Sequence, residues 1–236
     1  MNATHSLHRL AFVGVLLCFV VVVLGAYVRR TPAGLGCPDW PGCYGHFTPS
    51  GAEQNPASQA AYAGSPLDVG KAWREMAHRY AAGTLGLLVL LMTAMAVASL
   101  GPRPASVLYF VVLLALVVLQ GMLGMLTVTW QLKPLIVTLH LAGGLATLAM
   151  LWWLWLGTRE RPALRFASPH HGYRIRARGV RLAVTGALIV LGLQIALGGW
   201  TSSNYAAVAC PDLPKCQNAW VPETDYAEAF VLWRGL

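Results

Sequence analysis

Charge is what this sequence has least of. Only 11% of its residues are Asp, Glu, Lys or Arg while 56% are hydrophobic, too little charge to coat an ordinary soluble domain. Familiar catalytic signatures are missing too. There is no nucleotide-binding glycine motif, no serine–histidine–acid arrangement and no nucleic-acid-binding pattern. Acidic residues are the scarcer sign, nine against 17 basic, for a net charge of +8. That excess does not point to nucleic acid, because seven of the 17 (Arg159, Arg161, Arg165, Arg174, Arg176, Arg178 and Arg181) crowd one short connection.

What the chain has instead is five uncharged runs, 10–28, 81–100, 105–128, 135–157 and 182–200, each 19 to 24 residues long. A helix of that length crosses a hydrocarbon core of ~30 Å. Open strands would leave backbone groups unpaired in lipid, so the runs are read as helices of an all-α integral membrane protein. The first run is longer than the apolar core of a signal peptide, and its internal likeness, described below, argues for a retained helix. By the positive-inside rule the arginine-rich connection between the fourth and fifth runs is cytoplasmic. The N-terminus is then inside, and segments 29–76, 129–134 and 201–236 are outside. Arg29 and Arg30, on the outer side, run against this orientation and are outweighed by the cluster.

Residues 24–43, "LGAYVRRTPAGLGCPDWPGC", lie over residues 197–216, "LGGWTSSNYAAVACPDLPKC", without a gap at an offset of 173. Gly25 falls on Gly198, Tyr27 on Trp200, and both cysteines, both prolines and the aspartate of each septet on their twins. This is an internal duplication. Four of the five cysteines occupy these two outer loops, in an oxidising space if the membrane is a bacterial inner one. Five intervening residues, two of them proline, can bring the ends of each septet together, so Cys37–Cys43 and Cys210–Cys216 are candidate bridges. Zinc fits less well, since each site offers two sulfurs at an unusual spacing. Cys18, inside the first run, reads as a packing residue.

Polar residues at the edges of apolar runs are costly and are the first candidates for chemistry. His78 opens the second helix and His140 the fourth, at similar depth near the outer face. Small residues follow each: Ala81, Ala82 and Gly83 after one, Ala142, Gly143 and Gly144 after the other. Two histidines from separate helices at one depth suit the axial ligands of a haem iron. The plainer alternative is that each hydrogen-bonds a neighbouring helix or interfacial water. Glu75, three residues before His78 on the same helical face, can exchange a proton with a bound substrate, or simply be a glutamate near a helix N-terminus. Arg79 and Arg29 can pair with haem propionates or snorkel to the interface. Gln120 and Gln194, in "LQGMLGMLT" and "LQIALGGWT", read as packing determinants. The "WWLW" at 152–155 reads as an interfacial aromatic cluster. His170 and His171 sit in the basic connection, and the Pro/Gly/Ser-rich stretch 46–70 shows no clear periodicity.

Together, "GAYVRRTPAGLGCPDWPGC", "EMAHR" and "LHLAGGLATL" resemble haem A synthase, the membrane enzyme of cytochrome oxidase assembly. The resemblance covers all five runs and their outer loops. It implies a duplicated four-helix transmembrane bundle of eight helices, five of them present, divided at 1–173 and 174–236. It implies oxidation of the C8 methyl of haem O to the formyl of haem A. In this pattern His78 and His140 hold the substrate haem, Glu75 is the catalytic carboxylate, and Cys37 and Cys43 form a loop disulfide. A b-type haem cofactor belongs to the other half. Its ligands, and the counterparts of Glu75, His78 and His140, would fall at 248, 251 and 313, past residue 236, so the sequence is expected to be truncated. Haem O synthase and cytochrome oxidase assembly factors are the implied partners beside the lipid bilayer, and a homo-oligomer is compatible. Three other readings stand beside this one: a b-type electron-transfer cytochrome without porphyrin chemistry, a membrane thiol–disulfide oxidoreductase, and a non-catalytic assembly scaffold.

Overall fold

The computed structural model describes residues 3–99, 104–158, 171–210, 212, 214–223 and 225–232. Five long helices carry the fold: α1 (Ala3–Arg30), α4 (Val69–Ser99), α5 (Pro104–Thr129), α6 (Pro134–Thr158) and α7 (His171–Ser203). Each is long and apolar enough to cross a membrane, and no strand occurs among the described residues. The protein is an all-helical integral membrane protein.

Two compact units divide the chain, one built on Met1–Thr158 and one on Arg159–Phe230. In the first, α1 packs on α4 and α6, α4 on α5, and α5 on α6, which closes a four-helix ring. Its core is a set of helical stripes: Leu7, Ala11, Val15 and Cys18 on α1, and Leu85, Val89, Met92 and Ala96 on α4. Phe110 and Leu113 from α5 and Leu151 and Leu154 from α6 complete it. Cys18 is buried in this cluster as a free thiol, a packing residue. Polar ties cross between helices, among them Thr93 Oγ1–H to the Phe110 carbonyl (3.2 Å) and Tyr109 Oη–H to the Met150 carbonyl (2.6 Å).

Helix α5 ends in a C-cap: the Leu132 N–H reaches the Thr127 carbonyl (2.8 Å) and the Gln131 N–H the Val128 carbonyl (3.1 Å), with both residues left-handed. Pro134 then opens α6, a position where its missing N–H costs nothing. So short a connection makes α5 and α6 antiparallel neighbours.

Three elements differ from the sequence expectation. The second membrane helix begins at Val69, not near residue 77, so His78 and Glu75 lie inside it. Its charged first turns interrupt the apolar run but not the helix. The stretch 46–70 holds two short helices, α2 (Pro49–Glu53) and α3 (Pro56–Ala61). Each starts with proline behind a capping side chain, Thr48 for α2 and Asn55 for α3. In the basic segment, Arg174, Arg176, Arg178 and Arg181 lie on α7 rather than in a connection. Arg159, Arg161, Arg165 and His170 lie outside the described residues.

The second unit consists of α7, a 3-10 turn (Ala206–Ala209), the second septet and α8 (Tyr226–Ala229), which Asp225 caps. The turn at the end of its septet repeats the first in conformation. Cys43 and His46 exchange backbone hydrogen bonds (2.7 and 3.1 Å), as do Cys216 and Ala219 (2.9 and 3.0 Å). The two residues between are left-handed in both: Tyr44 (54°) and Gly45 (77°), Gln217 (52°) and Asn218 (64°). Positive φ at both central positions is the signature of a type I′ turn. One aspartate serves each turn. Asp39 accepts from the N–H of Tyr44 (2.6 Å) and Gly45 (2.9 Å), and Asp212 from Gln217 and Asn218 (2.8 Å each). Those two donors hold the Asp212 carboxyl below its ordinary value.

Leu151 is fully buried in the first unit. Leu151→Ala is expected to lower stability by roughly 3 kcal/mol through the cavity it leaves, read as a drop in the thermal midpoint of the detergent-solubilised protein. A midpoint within error of wild type would mean that the four helices do not pack around this residue.

Candidate haem site

His78 stands nine residues into α4 and His140 six residues into α6. Their rings meet edge to face, with centroids 6.5 Å apart and planes at 89°. Both helices belong to the first unit, and the two histidines meet at its interior.

Each imidazole rests on a glycine. A Cβ at Gly25 on α1 would lie 3.1 Å from His78 Cε1, and one at Gly124 on α5 would lie 3.5 Å from His140 Cε1. The His78 Nδ1 lies 3.1 Å from the carbonyl oxygen of Val21, four residues before Gly25. A carbonyl only accepts, so Nδ1 carries the proton and Nε2 keeps its lone pair, the form that binds a metal. His140 lacks such a tie: its Nδ1 is buried without a hydrogen-bond partner. Beside it, the Gln120 side chain presses against Gly143, where any Cβ would overlap it, and Gln120 Nε2 is buried and unpartnered too.

These residues fit an iron held between two imidazoles. Metal–imidazole bonds run ~2 Å, so two of them and the half-widths of two rings span roughly the separation observed. No group of three or more metal-ligating side chains occurs among the described residues.

Glu75 lies one turn before His78 and is only 4% exposed. Both its oxygens are bonded. Oε1 pairs with Arg79 Nη2 at 2.5 Å, and Oε2 accepts from the Cys37 N–H at 3.0 Å. Arg79 Nη1 donates to the carbonyls of Asp39 (2.9 Å), Pro41 (3.3 Å) and Gly42 (2.5 Å). The guanidinium therefore faces the septet loop. Arg29 is half-buried in the last turn of α1. Gln194 lies on α7, in the second unit.

Both septets are closed by disulfides, Cys37–Cys43 and Cys210–Cys216, each with Sγ–Sγ 2.07 Å. The first loop is buried against α4 through Cys37, Cys43, Tyr44, Ala52, Ala72 and Met76. Gly36 is what lets it approach so closely, since a Cβ there would fall 2.7 Å from the Lys71 carbonyl carbon. Tyr44 is 1% exposed, donates its hydroxyl to the Ser65 carbonyl (2.8 Å) and meets Tyr62 edge-on at 5.5 Å. Tyr80 donates to the Phe47 carbonyl, and His46 Nε2 bonds Ser58 Oγ at 2.8 Å. Sequence reasoning did not single out Gly25, Gly36, Asp39 or Tyr44 as parts of the site. For Gly25 and Asp39 a signal existed, because the duplication repeats both residues as Gly198 and Asp212.

A family model for cytochrome oxidase assembly proteins matches residues 8–234. The chain belongs to that family. It is similar to the Heme A synthase of Shewanella oneidensis, with 42% identity over 217 residues, covering 92% of this chain and 63% of that protein. It is also similar to the Heme A synthase of Shouchella clausii (27% over 220 residues, 92% of this chain and 66% of that one). The Heme A synthase of Bacillus pumilus is 25% identical over 241 residues, covering 97% and 72%. The chain thus spans about two thirds of the length of the curated family members it matches.

The Tyr44 environment makes a pH prediction. Burial first, then the charges of Asp39, Asp68 and Glu75, push the Tyr44 hydroxyl above its ordinary value of about 10. The fold favours the neutral phenol, so this contribution is complete below pH ~10 and is lost as pH rises through and beyond that value. The stability gap between wild type and Tyr44→Phe should accordingly narrow over the window from pH ~10 upward. A gap that stays constant over that window, in thermal midpoints, would show that Tyr44 ionises as freely folded as unfolded.

Proposed function

We propose that the first unit holds the substrate haem of a haem A synthase reaction, the conversion of the C8 methyl group of haem O to the formyl group of haem A for cytochrome oxidase assembly. The observation that carries this is the edge-to-face pair His78 and His140, 6.5 Å apart, with the buried Glu75 one turn outward. The similarity to proteins named Heme A synthase supports the substrate class.

In this reading His78 and His140 are the axial ligands. His78 offers Nε2 because its Nδ1–H is tied to Val21, and the glycines beneath both rings set their depth. Glu75 is the catalytic carboxylate, held at a fixed position by the Cys37 N–H and Arg79 and able to take up or return a proton beside the porphyrin edge. The disulfide-closed loop lies over this end of α4 and keeps water from it. A b-type haem, when bound, supplies one-electron steps; no residue of this chain is assigned to it. The seven arginines from 159 to 181 support, by the positive-inside rule, an orientation with that segment in the cytoplasm and the septets outside a bacterial inner membrane. The substrate then comes from an enzyme that makes haem O, and the product goes to oxidase assembly.

One observation favours a second reading, a b-type electron-transfer cytochrome. Both Glu75 oxygens are already bonded, as expected of a structural carboxylate.

Haem extracted from the detergent-purified chain, expressed in cells that make haem O, separates the two by chromatography. Haem O is expected, falling at least about tenfold in His78→Ala and in His140→Ala. Haem B alone would favour the cytochrome, and haem unaffected by either substitution would overturn the ligand assignment.

A further inference from the structure

Arg79 has two roles open to it: a partner of haem propionates, or a brace for the loop above. The geometry points to the second. We infer that Arg79 is a positioning residue that locks the Cys37–Cys43 loop onto α4 and fixes Glu75, its guanidinium committed there and not to a propionate. The inference rests on the reading of Glu75 as the reacting carboxylate and deepens it.

Four hydrogen bonds carry the case. One guanidinium nitrogen, Nη1, lies within bonding distance of three carbonyls of a single loop, those of Asp39, Pro41 and Gly42, and Nη2 pairs with Glu75. Glu75 in turn accepts from the Cys37 N–H, the first residue of the same loop. The circuit Arg79–Glu75–Cys37–loop–Arg79 is therefore closed. Converging carbonyls gather partial negative charge, which a cation neutralises where two charged side chains would otherwise be buried unpaired. A propionate reaching Arg79 would have to displace at least one of these partners. Lysine cannot reproduce the arrangement, since its ammonium is a point charge and not a planar fork.

The test compares wild type, Arg79→Met and Arg79→Lys in the full chain in detergent. The first measurement is the rate at which a phosphine reduces each disulfide, read by alkylation and peptide mass. The Cys210–Cys216 loop, closed by its own aspartate turn, is the internal reference for reagent reactivity, and the thermal midpoint of each variant is the check on folding. Both variants are expected to speed reduction of Cys37–Cys43 about tenfold while leaving the reference rate unchanged. A second readout is the Glu75 carboxylate band in the infrared, assigned by its loss in Glu75→Gln, which is expected to move in both variants. A role confined to bracing the loop would leave that band in place and would overturn the link to Glu75. A third is the binding of haem O against its propionate dimethyl ester, with equal ratios expected in wild type and variants.

The inference is overturned if Arg79→Lys keeps the wild-type reduction rate. It is also overturned if wild type prefers the free acid by about tenfold or more and Arg79→Met abolishes the preference. Should Arg79→Met fail to fold, Arg79→Lys decides alone. Should no variant, nor wild type, bind haem, the proposed reaction falls, while the reduction rates and the infrared band still decide the role of Arg79.

Discussion

A carboxylate buried in an apolar helix bundle must be paired or it neutralises, and the outer end of the first unit is built around that requirement. Glu75 takes one partner from its own helix, Arg79 at i+4, and one from a distant segment, the Cys37 N–H. The second partner dictates much of the rest. For Cys37 to come so near, the chain must graze the backbone at Lys71 and Ala72, which only glycine at 36 allows. Arg79, bound to the carboxylate through Nη2, has Nη1 aimed at the loop, whose carbonyls turn inward to meet it. Tyr44, Ala52 and Met76 fill the space that remains.

Deeper in the bundle the constraint changes from charge pairing to close approach. Helices in lipid gain little from burying apolar surface against one another, so small residues and shape decide their contacts. Gly25 on α1 and Gly124 on α5 each stand against one of the two imidazoles, where an added side chain would meet the ring. Close approach at these two glycines lets rings from non-adjacent segments of the sequence come together.

Much of this was legible from the residues. Length and hydropathy located all five long helices, because uncharged runs of about 20 residues have few alternatives. The duplication and the cysteine pairing were legible because prolines and cysteines repeat at a fixed offset. The start of α4 was not: Lys71, Arg74, Glu75 and Arg79 break the hydropathy signal without breaking the helix, since charged residues are good helix formers. The helices at Pro49 and Pro56 were overlooked although Thr-Pro and Asn-Pro are capping signals. The role of the Arg79 guanidinium was not legible, for spacing says where a side chain starts and not which carbonyls a folded loop will bring to it.

The two septets share one turn in different surroundings. The first buries Tyr44 beneath a braced loop, whereas the second places Gln217 at the same position in the open. Yet the aspartate, the paired backbone bonds and the left-handed residues are the same in both. A shape kept under such different neighbours is encoded within the segment itself. The sulfurs are therefore brought together by residues no more than ten positions apart, and oxidation of the loop can precede assembly of the bundle it later caps.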